Sequence, residues 1–129
     1  MKNNILLFIF VLVISLATAS YFGGWYDYFV PQYDYSLLGI DQETVVYIAG
    51  LFFAYVFFVP FIFELLGKGN KNKWIVVLLV PVVLFYLYDN VMLTYIPILA
   101  SITGCLLAKL INLTIKKFKH QNPPMIINK

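Results

Sequence analysis

The chain has 129 residues, of which 62% are hydrophobic and 12% charged, with a mean hydropathy of +0.86. A soluble domain carries roughly half apolar and about a quarter charged residues, so this composition excludes one and points to a membrane protein. The net charge of +3 comes from nine basic residues, all lysine. These flank apolar runs rather than forming a nucleic-acid-binding stripe. At about 20 apolar residues per crossing, the length allows four helical spans and leaves no room for a soluble domain. The runs are continuously apolar, not alternating as barrel strands would be.

Span 1 is expected over 5–22, behind Lys2 and two asparagines. The same segment has the parts of a secretory signal: a basic start, an apolar centre and the small residues Ala17, Thr18 and Ala19, with cleavage before Ser20. The apolar run continues past that point to Phe22, which favours a retained span.

An outer loop over 23–41 holds Trp25, Tyr26, Asp27, Tyr28, Phe29, Pro31, Tyr33, Asp34 and Tyr35, and no lysine. Aromatic rings with a polar edge favour the headgroup layer, so the expected position is along the outer surface. A carbohydrate or cation site is the alternative for such alternating rings and acids. Asp41 suits a helix N-cap, and Glu43 suits the first turn, where the helix dipole favours negative charge.

Span 2 covers about 44–66, with Pro60 inside it and Glu64 one turn from its end. Gly50 and Ala54, four apart, put two small side chains on one helix face, which allows a neighbouring helix to approach closely. The stretch 67–73, Gly-Lys-Gly-Asn-Lys-Asn-Lys, cannot enter hydrocarbon and is the inner loop.

Span 3 is expected over 74–88, anchored by Trp74 and loosened at Pro81. Asp89 and Asn90 make a tight turn into span 4, over 92–115. Tyr86, Tyr88 and Tyr95 flank that turn as an outer aromatic belt would. The tail over 116–129 is basic, contains His120 and two prolines, and is expected to be disordered.

Sorting the charges orients the chain. Asp27, Asp34, Asp41, Glu43 and Asp89 fall at one side with no lysine among them, while all nine lysines fall at the other with Glu64. By the positive-inside rule the lysine side is cytoplasmic, as are both termini. The expected fold is an all-α integral membrane protein, four transmembrane helices in an up-down-up-down bundle, in a bacterial cytoplasmic membrane.

Polar residues inside spans are the first functional candidates, because hydrocarbon makes them costly. Glu64 and Lys109 lie near the cytoplasmic ends of spans 2 and 4. They either form an ion pair between the two spans or snorkel separately to the headgroups. Asn112 shares the face of Lys109 and can hydrogen-bond across helices. In span 4 Ala100, Gly104 and Ala108 recur every four residues, beside Ser101 and Cys105. That spacing makes a groove for another helix, from this chain or from a partner.

No nucleophile has a base near it in sequence, one cysteine excludes a multi-cysteine metal site, and the lone histidine is in the tail, so no catalytic residues, metal or cofactor are assigned. Length and span number are similar to those of small multidrug transporters. Those carry a glutamate in the first span, whereas span 1 here has no ionisable residue. The leading expectation is therefore a non-enzymatic component of a membrane assembly, with the bilayer and a membrane protein partner or a homo-oligomer as its associations. The alternative is a small oligomeric transporter or channel with Glu64 and Lys109 near the pathway, and a lipid-modifying enzyme comes third, without residues to support it.

Overall fold

A computed structural model describes residues 2–29, 41–89 and 95–121, and all of its elements are helices. They are α1 (Lys2–Phe29), α2 (Gln42–Leu66), α3 (Lys71–Asp89) and α4 (Tyr95–Gln121). Three of them, α1, α2 and α4, are long and apolar enough to cross a membrane. In α3 only 19 residues are helical, and Lys71 and Lys73 occupy the first turn, which shortens its apolar part.

The hub is α2, against which each of the other three helices packs. Contacts at both ends fix the directions. Near its start α2 meets the end of α1 at Gly50 and Gly23, and near its end Val59 and Phe63 share a cluster with Leu7, Phe8 and Val11 of α1, so the two run antiparallel. Phe52 stacks on Phe85 and Phe63 on Trp74, which makes α3 antiparallel as well. Gly104 meets Phe57, and Asn112 meets Glu64 about two turns further on, so α4 runs parallel to α2. Successive helices therefore alternate in direction.

Where helices lie in hydrocarbon, no hydrophobic gain separates helix–helix from helix–lipid contact, and van der Waals fit must supply the association. Small residues provide it between α1 and α2. A Cβ on Gly50 would collide with the backbone of Ala19 and Gly23, and one on Gly23 would collide with the carbonyl of Val46. Ala19 and Ala54 are fully buried alongside. Bulky rings fill the rest: Phe22 lies 5.6, 5.7 and 5.6 Å from the ring centroids of Phe53, Phe57 and Phe58. Each such pair contributes about 0.5–1.5 kcal/mol beyond its contact area. The core divides into an inner cluster around Val11, Val59, Ile62 and Phe63 and an outer one around Tyr26 and Ile96.

Several element boundaries differ from expectation. Residues 23–29 are not the start of a loop but the last two turns of α1. Gly23 serves as a contact surface there, and Tyr26 buries its ring against Phe53. The rest of the expected outer loop, 30–40, lies outside the described residues. With 28 residues, α1 is about 42 Å long, more than the roughly 30 Å of hydrocarbon.

At the lysine-rich end α3 begins at Lys71, so the loop shrinks to 67–70, with Gly69 in the left-handed region at φ 69°. Only glycine adopts that conformation without strain. The expected disordered tail is helical through Gln121, because Lys116 and Lys117 are good helix formers that suit a helix C-terminal end. Its remainder, 122–129, and the tight turn after Asp89 lie outside the described residues. Asp41 does stand at the N-cap of α2, yet its carboxylate caps no backbone donor and accepts the hydroxyl of Thr44 instead. Pro60 and Pro81 sit within continuous helices, and Pro97 occupies the first turn of α4, where a missing N–H goes unmissed.

Two adjacent glycines give a direct test of this packing. A Cβ on Gly23 would meet α2, while one on Gly24 would meet nothing within 4 Å. Gly23→Leu is expected to lower unfolding stability in detergent by about 1–3 kcal/mol through overpacking. Gly24→Leu should leave it unchanged or raise it by up to about 1 kcal/mol through helix propensity. Equal effects of the two, measured as thermal midpoints, would refute the close approach.

Candidate functional site

The small residues singled out by spacing all serve contacts inside the chain. Gly50 faces α1, with Ala54 buried one turn on. Ala100, Gly104 and Ala108 are buried on α4, and a Cβ on Gly104 would strike the carbonyl of Phe57 in α2. The face that could have received a partner helix is occupied by α2. A matching series on α1, Ser15, Ala19 and Gly23, shows the same four-residue spacing and is buried throughout. The spacing is a readable signal, but a first span ending at Phe22 leaves Gly23 outside it.

Glu64 does not pair with Lys109. Its Oε1 lies 3.0 Å from Nζ of Lys71, the first residue of α3, and Lys109 is exposed on α4. The four-residue turn between α2 and α3 brings Lys71 back over the last turn of α2, a nearer partner than any residue of α4. Glu64 is the more enclosed of the two, with its side chain 15% exposed against 33% for Lys71.

Around this pair the other helices close a polar clasp. A helix leaves its last four carbonyls without intrahelical donors. At the end of α2 the carbonyl of Phe63 accepts the N–H of Gly67 at 2.9 Å, and that of Glu64 accepts Nδ2 of Asn112 from α4 at 3.2 Å. From α1, Nδ2 of Asn4 donates to the carbonyl of Lys68 at 3.3 Å. The α2–α3 turn is thus held from two sides by asparagine amides. Two tyrosines act alike deeper in the bundle: the hydroxyl of Tyr47 donates to Leu16 at 3.2 Å and that of Tyr55 to Leu78 at 3.3 Å. Leu78 lies one residue beyond Val77, the carbonyl that Pro81 deprives of its helical donor.

At the acid-rich end α1 and α4 both lean on α2 and leave a groove of about 800 Å³ between them. Tyr21 and Trp25 form one wall, Phe53 and Phe57 the floor, Leu99 and Thr103 the other wall. The hydroxyl of Thr103 donates to the Leu99 carbonyl at 2.8 Å, so the lining is mostly hydrocarbon and ring faces, with the polar edges of Tyr21, Trp25 and Tyr95 as its other donors. Sequence reasoning missed the groove, since it arises from where three helices diverge and not from any motif. Among the described residues no three metal-ligating side chains converge, and Cys105 is a free thiol.

No protein-family model, curated protein or solved structure matches the chain.

The clasp has a measurable signature. Asn4→Ala and Asn112→Ala should each cost about 1 kcal/mol of stability and speed backbone hydrogen exchange at residues 67–71. Glu64→Gln should cost less than about 1 kcal/mol, as expected of a partly exposed ion pair. Exchange rates unaltered by Asn112→Ala would remove α4 from the clasp.

Proposed function

We propose that this chain is a four-span membrane protein, with both ends on the lysine-rich cytoplasmic side of a bacterial membrane, and that it acts without catalysis as a helix-packing component of a membrane assembly. One observation carries the reading. The side-chain hydrogen bonds described between helices, from Asn4, Tyr47, Tyr55 and Asn112, all end on backbone carbonyls. Intramembrane polar groups are costly and usually mark pathways or sites. Here these four fasten α1, α3 and α4 to α2 or to the turn that follows it, and the outward surface is largely apolar.

Support for four spans comes from the alternating helix directions, which bring the end of α4 and the end of α2 to the same lysine-rich side. Support for a retained first span comes from the burial of Ala19 against Gly50, on the very residue after which a signal would be cut. The outward faces of α1, α3 and α4, including Leu6, Val13, Val76, Leu84, Leu106 and Leu113, offer broad apolar surface for lateral association. The transporter alternative has less behind it: Glu64 is engaged by Lys71 at a helix end, and Lys109 is exposed on α4.

Extraction in mild detergent at native expression level should yield a particle heavier than one chain, containing the whole 129-residue sequence. A bare monomer would overturn the assembly role. In a Cys105→Ser background, an impermeant maleimide should reach Glu43→Cys only from outside and Lys117→Cys only from inside. Labelling of both from one side would refute the four-span arrangement.

A further inference from the structure

We infer that the groove between α1 and α4 binds one acyl chain of a phospholipid from the leaflet on the acid-rich side. The groove lining runs from Tyr21 to Phe29 on α1 and from Tyr95 to Leu107 on α4. At 1.5 Å per residue these are about 12 and 18 Å, close to half of a hydrocarbon layer of roughly 30 Å. The groove therefore has the depth of a single leaflet. It opens sideways between two helices that are long and apolar enough to cross a membrane, so hydrocarbon is what reaches it.

The shape selects a flexible chain over a helix. A docking helix needs small residues that let two backbones approach. Of those residues, the series on α1 and α4 are already turned into α2, and the groove is walled mainly by rings, leucines and Ile96, with Ala100 and Thr103 the small ones. Rings leave narrow, irregular gaps that a polymethylene chain follows and a cylinder of roughly 10 Å diameter does not. Its volume of about 800 Å³ also falls in the range of roughly 300–1,000 Å³ typical of pockets that enclose small ligands. Trp25 and Tyr95 stand toward the end where a headgroup would lie, as amphipathic rings do at an interface, while Tyr21 lies deepest on the α1 wall. Thr103, its hydroxyl engaged within α4, makes no polar demand on an occupant.

The two tryptophans give the test a probe and an internal control, for Trp25 lines the groove and Trp74 stacks on Phe63 at the opposite end. Trp74→Phe leaves Trp25 as the sole emitter, and Trp25→Phe leaves Trp74. Each delipidated variant is titrated in detergent micelles with phosphatidylcholine brominated on its acyl chains. Quenching of Trp25 is expected to saturate at a lipid mole fraction at least fivefold below that needed to quench Trp74. Filling the groove with Thr103→Phe, or with Leu107→Phe should the first variant fail to fold, should raise the half-saturation point at least fivefold. Quenching of Trp25 that rises linearly with lipid, or that is indifferent to both fillings, would overturn the inference. So would photocrosslinking from p-benzoylphenylalanine at position 99 in native membranes, if the product were a second copy of the chain or another protein instead of a lipid adduct.

Discussion

The bundle depends on one backbone crossing, where Gly23 of α1 and Gly50 of α2 remove the two side chains that would hold the helices apart. In water an amphipathic helix is driven onto its neighbour by the area it removes from solvent. In lipid that drive is missing, and closeness itself has to supply the attraction. Once α1 lies against α2 at this depth, the phenylalanines of both helices come within 6 Å of each other and the fit continues on either side of the crossing. Gly104 repeats the device between α4 and α2. Two glycine-mediated contacts on different stretches of one helix explain why α2 is the hub and why α3, which has none, makes the smaller contact.

Fixing α1 and α4 to one helix also sets what lies between them. The contacts at Gly50 and Gly104 stand a distance of 54 residues apart in sequence but on neighbouring levels of the bundle, and the outer halves of α1 and α4 splay above them. The groove is the remainder of that geometry. Phe53 and Phe57 of its floor each pack against the ring of Phe22.

Much of this was legible in the residues. Continuous apolar runs mark helices, and lysines and acids sort to opposite sides; Gly50, Ala54, Ala100, Gly104 and Ala108 showed by spacing alone that they line contacts. The partner of each contact was not legible, because small residues state that something approaches and not what. Glu64 illustrates a second limit: Lys68, Lys71, Lys73 and Lys109 were all near enough by span position, and only the path of the turn through Gly69 selects Lys71. The Gly23–Gly24 pair misled in a third way. Glycine signals a break in water-soluble helices, where it exposes backbone, but in a helix pressed against another it signals contact. The groove had no signature at all, since a void belongs to several helices together.

The clasp at the lysine-rich end has a consequence for how the chain is made. Its donors come from Asn4 on α1 and Asn112 on α4, and the carbonyls they reach are those of Lys68 in the α2–α3 turn and Glu64 in the last turn of α2. A nascent chain still lacking α4 therefore holds the Glu64 carbonyl open at the membrane face, beside an α1 already in place. Packing of α4 closes that position, so the lysine-rich end of the bundle is complete only once α4 is in place.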